Sequence, residues 1–256
     1  MALRLLRQLS GKRRSVRGDR RLGIILAFTA GAINAGGFLA VGVYTSHMSG
    51  LVSSFADFLI LHSWTAAGLA ISYAIAFFFG ALTASLLINW ARLKKLHSEF
   101  AVALMLEAVL LLVFGALATH ADVRLTLPVT IAVLCYIMGL QNGLITKISH
   151  AEIRTTHMTG VITDLGIEAG RFLFGQAMHT DARFHPAKTR LLAGLLLGFI
   201  TGGIIGAFLF SRLGFGAVWP FAALLTVVAA GPISDDLRRL GKQRLRKKTA
   251  SVPSRS

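Results

Sequence analysis

Two histidines stand in nearly the same string of neighbours. Thr45-Ser46-His47-Met48-Ser49-Gly50-Leu51-Val52-Ser53 is matched in type, position by position, by Thr155-Thr156-His157-Met158-Thr159-Gly160-Val161-Ile162-Thr163. An amide residue precedes each string, Asn34 in the first case and Asn142, with Gln141 beside it, in the second. Hydroxyls and small residues around an imidazole suit two kinds of work. Ser49 and Thr159 can cap a helix by accepting its first backbone N–H groups, while Gly50 and Gly160 permit close approach. Left uncapped, the same N–H groups and the positive helix end can meet an anionic solute. On the second reading the substrate-binding candidates are Asn34, Thr45, His47, Ser49, Gly50, Gln141, Asn142, Thr155, His157, Thr159 and Gly160.

Three acids are candidates for proton coupling. Asp164 and Glu168 are four residues apart and His157 lies seven before Asp164, so the three share one face of a helix and could relay protons. The competing reading is a solvated face on which Glu168 pairs with Arg171. Glu107 sits in a run of Met, Leu, Ala and Val, where a charge costs a few kcal/mol. It is expected to be protonated, paired or turned to a cavity, in a functional role or in an interhelical hydrogen bond. The His-Met pairs have ligands suited to Cu(I), but one pair per string is a thin set. The single cysteine, Cys135, lies inside an apolar run, which rules out a disulfide framework and a cysteine-based zinc site. No metal or cofactor is expected. His62, His97, His120, His150, His179 and His185 fall in or near connections, where a solvated ring is the plain expectation.

The elements that must hold these residues follow from composition. Of 256 residues, 54% are hydrophobic and only 15% charged, too few polar groups to cover a water-soluble domain. Six stretches approach the length of about 20 apolar residues that spans the hydrocarbon core: 22–43, 66–90, 100–119, 127–145, 191–210 and 216–233. Segments 49–61 and 159–176 carry Asp57, and Asp164, Glu168 and Arg171, respectively; they are expected to be short helices that do not cross. With those six crossings, all of the 27 Lys and Arg except Arg124 and Arg212 fall on one side. The rule that cytoplasmic connections hold the positive charge therefore places both ends inside. The net charge of +16 is read as topology and as attraction of the tails to anionic lipid headgroups, with no nucleic acid as partner. The basic start of the chain has the outline of a secretory signal, but the apolar stretch after it is too long for one. The organisation expected is a basic tail at 1–21, one membrane domain at 22–233 and a second basic tail at 234–256.

The repeated strings divide the membrane domain into halves, 22–119 and 127–233, each with three crossings and one short helix. Three is odd, so the second half enters the membrane inverted. Inverted repeats with interrupted helices are an architecture of secondary transporters, which bind substrate where the halves meet. The fold class expected is an all-α membrane protein of six transmembrane helices in two inverted repeats.

The strings Gly37-Phe38-Leu39-Ala40-Val41-Gly42, Ser46-His47-Met48-Ser49-Gly50, Met138-Gly139-Leu140-Gln141-Asn142-Gly143, Arg154-Thr155-Thr156-His157-Met158-Thr159-Gly160 and Thr163-Asp164-Leu165-Gly166-Ile167-Glu168 resemble the signature blocks of the YoaK family, bacterial membrane proteins grouped as a domain of unknown function. The resemblance implies six helices and an inner-membrane location and supplies no activity. It also implies Asp where this chain has Asn34 and Asn where it has Leu51.

The functional expectation is a secondary transporter or permease of a small polar, anionic solute, with a site assembled from both histidine turns. It is not expected to be an enzyme, since no nucleophile or metal set converges. The alternatives are a membrane-embedded enzyme using His157 and Asp164 as an acid–base pair, and a non-catalytic scaffold. Homo-oligomerisation is left open.

Overall fold

The computed structural model describes residues 16–118, 123–149, 151–179 and 183–250. His120, His150, the side chain of Arg124 and the outer parts of both tails lie outside the described residues. Among the described residues eight α-helices follow in order: α1 Val16–Val41, α2 Met48–Ile60, α3 Trp64–Leu93, α4 Ala101–Ala118, α5 Val123–Ile148, α6 Met158–Met178, α7 Pro186–Leu213 and α8 Val218–Ala250. No strand occurs among the described residues.

Among the described residues five stretches are long and apolar enough to cross a membrane: α1, α3, α4, residues Leu127–Ile148 of α5, and the 53-residue run Pro186–Arg238. That last run, if straight, would be about 80 Å long at 1.5 Å per residue, against about 30 Å of hydrocarbon. It is interrupted by a 3-10 turn, Gly214–Ala217, entered through Gly214 at φ +55°, a conformation glycine adopts without a Cβ penalty. The helices extend beyond the expected apolar stretches. α1 begins at Val16, within the basic tail, and α8 runs on to Ala250, because Arg, Lys, Leu and Gln are good helix formers and no proline follows Pro232 in the helix.

Two helix pairs carry the closest contacts, α1 with α7 and α3 with α5. In the first, a Cβ on Gly31 would overlap the carbonyl of Phe199, and one on Gly202 the carbonyl of Phe28. In the second, Gly139 faces the carbonyl of Phe77 and Gly80 that of Tyr136. All four hypothetical Cβ atoms would lie well inside 3.0 Å of backbone. These are equivalent positions: Gly31 and Gly139 each stand three before the amide residue, and Phe77-x-x-Gly80 is matched by Phe199-x-x-Gly202. Small residues let backbones meet where lipid gives apolar helices no hydrophobic reason to associate. α4 packs against α8, with Gly115 under Trp219 at one end and Asp236 at the other, where its Oδ2 accepts from the backbone N–H and the hydroxyl of Ser98, both at 2.8 Å.

Several contacts gather at one end of the bundle. Ile153 lies over Gly23 at the start of α1, Lys147 donates to Asn89 Oδ1 at 2.8 Å, and Arg92 pairs with Glu99 at 3.2 Å. Around the bundle, Phe78, Phe79, Leu86, Leu197, Ile204 and Phe208 are exposed, an outward apolar surface that lipid would cover. Trp64 and Trp90, exposed near the two ends of α3, are separated by about 40 Å of helix, the spacing of two membrane interfaces.

The glycine crossings yield a test. Gly139→Val drives a side chain into the Phe77 backbone and should lower stability by about 1–3 kcal/mol or more, while Gly166→Ala, with nothing within 4 Å, should not. Heating detergent-solubilised protein and measuring the folded fraction by size exclusion compares them; equal midpoints would refute the crossing.

Candidate functional site

Each histidine turn is held from behind by its amide residue. Asn34 Oδ1 accepts from the backbone N–H of Ser46 at 3.1 Å and from its hydroxyl at 2.9 Å. Asn142 Oδ1 accepts from the Thr156 hydroxyl at 2.7 Å, and its Nδ2 donates to the Met138 carbonyl at 2.8 Å. The two amides thus tie turn to helix, and neither is in the lining of the cavity beside its turn. Thr45 and Thr155, one residue before these bonds, are wholly buried with hydroxyls that find no partner among the described residues.

The expected caps are corrected. Helices α2 and α6 begin at Met48 and Met158, and the N-cap positions belong to His47 and His157, neither of which makes a side-chain capping bond. Ser49 and Thr159 already lie within the first turn, two residues past the N-cap position. Gly50 and Gly160 are dictated by the rings. A Cβ on Gly50 would strike the His47 ring, and one on Gly160 the His157 ring. Glycine three residues on is what lets each imidazole fold back over the start of its helix.

Each turn borders a cavity of its own. The first, about 490 Å³, is lined by His47, Gly50, Leu51 and Ser54 with Tyr44, Ala70 and Tyr73. The second, about 320 Å³, is lined by His157, Gly160, Val161 and Asp164 with Glu152, Arg154, Leu192 and Leu195. The linings correspond position by position through the turn: Tyr44 stands where Arg154 does, Ser54 where Asp164 does. They share no residue, so the single site built from both turns is not what the geometry gives. Val41 lines the first cavity and Gly23, under Ile153, adjoins the second, so about 27 Å of α1 separates them.

The acids have three different fates. Asp164 faces the second cavity and pairs with Lys188 of α7 at 3.0 Å. Glu168 turns away from His157: its carboxylate accepts from Arg171 at 2.7 Å and from the backbone N–H of His185 at 2.9 Å. The His185 N–H, with Arg171 adding to it, holds the Glu168 carboxyl below its ordinary value against the opposing effect of burial. Glu107 is wholly buried between α4 and α5. Gln141 lies alongside it, yet neither carboxyl oxygen and neither amide atom completes a hydrogen bond of good geometry. Among the described residues no three His, Cys, Asp or Glu gather as a metal ion would need.

A family described as Protein of unknown function (DUF1275) matches residues 22–231. The chain belongs to the DUF1275 family. The UPF0700 transmembrane protein YoaK of Bacillus subtilis (strain 168) is 29% identical over 194 residues, 72% of this chain and 80% of that protein. This DUF1275 member is therefore the YoaK-family multi-pass membrane protein that its motif strings implied. No solved structure matches it.

The motif strings leave out Tyr44, Tyr73, Glu152 and Lys188, and they hold Arg154 only as the head of a signature string, with no role attached. In this DUF1275 chain the halves were found by likeness, and Tyr44 against Arg154 is a difference in the position just before the likeness begins. Lys188 lies on another helix, and only folding brings it to Asp164.

Because the Glu168 carboxyl is held low in the folded protein, its contribution to stability is present above the ordinary value of 4.5 and lost as pH falls below it. The thermal midpoint of the wild type should drop as pH is lowered from 5 towards 3. Glu168→Gln should start lower at neutral pH and fall less. Parallel pH profiles would show that the carboxylate does not fasten α6 to the α7 connection.

Proposed function

We propose that this protein is a secondary transporter of the inner membrane, carrying a small polar solute with an anionic group and crossing six times as two inverted halves with both ends in the cytoplasm. The observation that carries the reading is the pair of cavities at equivalent positions of the two halves and at opposite ends of the bundle. A single polar pocket would suit a receptor or an enzyme as well. Two matched cavities, each bordered by its own histidine turn, are what an inverted repeat offers to a solute approached alternately from either face.

The six-crossing arrangement is supported by the break at Gly214–Ala217 and by the equivalent glycine contacts, each of which joins a helix of one half to a helix of the other. The end of the bundle where Lys147, Arg92 and the second cavity lie is the one assigned to the cytoplasm by the charge rule. In that cavity Arg154 and the first turn of α6 suit an anionic group, while Glu152 can accept from a donor on the same solute. Asp164 is already matched by Lys188, which favours a binding role over acid–base catalysis with His157.

Glu107 is the residue we assign to proton coupling. Gln141 beside it precedes Asn142, which holds Thr156 and with it the second turn. A carboxyl in this apolar setting is stable only when neutral or matched by a cation, so its occupancy by a proton can bias the position of α5 and the turn behind it. Asp164 and Glu168, both ion-paired, serve the cavity wall and the α6–α7 connection in this reading.

Two measurements test the proposal. Replacing the lone cysteine, Cys135, with Ala gives a background in which R212C should label from outside intact cells and K94C only after permeabilisation; outside labelling of K94C would overturn the topology. In proteoliposomes, uptake from a panel of small carboxylates, phosphate and sulfate should identify a solute that also raises the thermal midpoint. Arg154→Gln and His157→Gln should remove that stabilisation, and Glu107→Gln should keep binding but abolish the pH dependence of uptake. Binding unchanged in both cavity variants would remove the case for transport.

A further inference from the structure

A third cavity, about 370 Å³, lies between the starts of α1 and α7 and is lined by Arg17, Arg20, Ile24, Ala187, Arg190 and Leu191. Half of its lining is arginine, drawn from two helices, and no acid contributes to it. Among the described residues Arg190 makes one bond, from Nε to the Pro186 carbonyl at 3.3 Å, which leaves its other guanidinium donors unengaged there. None of the three arginines pairs with a carboxylate among the described residues. Lys188, the neighbouring cation, is engaged by Asp164 on another face of α7. Asp19 stands between Arg17 and Arg20 on α1 but is not in the lining, so three cations converge on a cavity whose walls hold no acid; they repel one another, and the arrangement suits an anion.

Two further features narrow its chemistry. Ala187 is in the first turn of α7, whose N-cap His185 makes no side-chain capping bond, so the cavity also receives the positive end of a 28-residue helix. The wall continues along α1 and α7 as apolar surface, through Ile24 and Leu191 to Leu197, which is 61% exposed. A charged mouth above an apolar groove, at the end of helices that reach into lipid, matches a molecule with an anionic head and an acyl tail. We propose that this cavity binds the phosphate headgroup of an anionic phospholipid, with the acyl chain lying along the α1–α7 seam. The site differs from general attraction of the tails to the membrane, because its arginines come from two helices whose spacing is fixed by the Gly31–Phe199 and Gly202–Phe28 contacts.

The test is native mass spectrometry of full-length protein released from nanodiscs of equimolar phosphatidylglycerol and phosphatidylcholine. The wild type should retain phosphatidylglycerol selectively. Arginine near an anionic lipid contributes roughly a fivefold gain in affinity each, so R190Q should cut retention roughly fivefold and R17Q/R20Q/R190Q on the order of a hundredfold. K94Q/K95Q, which removes two exposed cations from the connection after α3, should retain as much lipid as the wild type. Should the triple variant not fold, the exposed R190Q decides alone. Undiminished retention in R190Q overturns the proposal, as does an equal loss in K94Q/K95Q, which would mark diffuse attraction. Displacement of the lipid by excess inorganic phosphate would reassign the cavity to a free anion and overturn the lipid assignment.

Discussion

In hydrocarbon, one apolar helix gains nothing from leaving lipid for another, so association depends on surfaces meeting more closely than lipid can. Here that closeness is backbone on backbone. Gly31 and Gly202 close α1 onto α7, and Gly139 and Gly80 close α3 onto α5, each against a carbonyl of the partner helix. The rest of the fold hangs from these two crossings. The first of them also fixes the separation of α1 and α7, on which the arginine cavity depends.

The two halves reuse one scaffold for different surroundings. Glycine, the amide residue, the buried threonine and the folded-back histidine recur in each, because backbone geometry requires them: the amide must reach the turn, and the ring must have room over its helix. What the scaffold presents is not repeated. Tyr44, Ser54 and Tyr73 give the first cavity an aromatic, uncharged lining, where Arg154, Asp164 and Leu195 stand in the second. The buried acid is one-sided as well, since Gln141 beside Glu107 corresponds to Ile33, a wholly buried apolar residue. Shared geometry with unshared chemistry separates positions that make the fold from positions that face a solute.

Much of the architecture was legible in the sequence because lipid imposes simple rules. Apolar length marked stretches that the structure makes helical, and the paired motifs marked two like turns, one after α1 and one after α5. The turns were legible in place but not in mechanism. Ser49 and Thr159 are good capping residues by type, yet the N-cap position falls two residues earlier, on His47 and His157, so the glycine that looked permissive for a ligand makes room for an imidazole. Asn34 and Asn142, amides in apolar helices, read equally well as solute ligands or as ties between segments; hydrogen-bond geometry makes them ties. Asp164 and Glu168 share a helix face by spacing, but His185 returns from another segment to claim Glu168, and no periodicity reports a partner seventeen residues away.

The crossings join elements that are far apart in the chain, and this bears on the order in which the protein is made. Gly31 leaves the ribosome well before Phe199 exists. At a synthesis rate of about 5–20 residues per second, α1 waits on the order of ten to thirty seconds for the helix it will close against, and α3 waits for α5 in the same way. During that interval the small-residue faces of the early helices are open to whatever the bilayer offers, including each other and other proteins under insertion. Assembly of this fold is therefore a late event, and the first half of the chain spends its early life as inserted helices whose defining partners have yet to be translated.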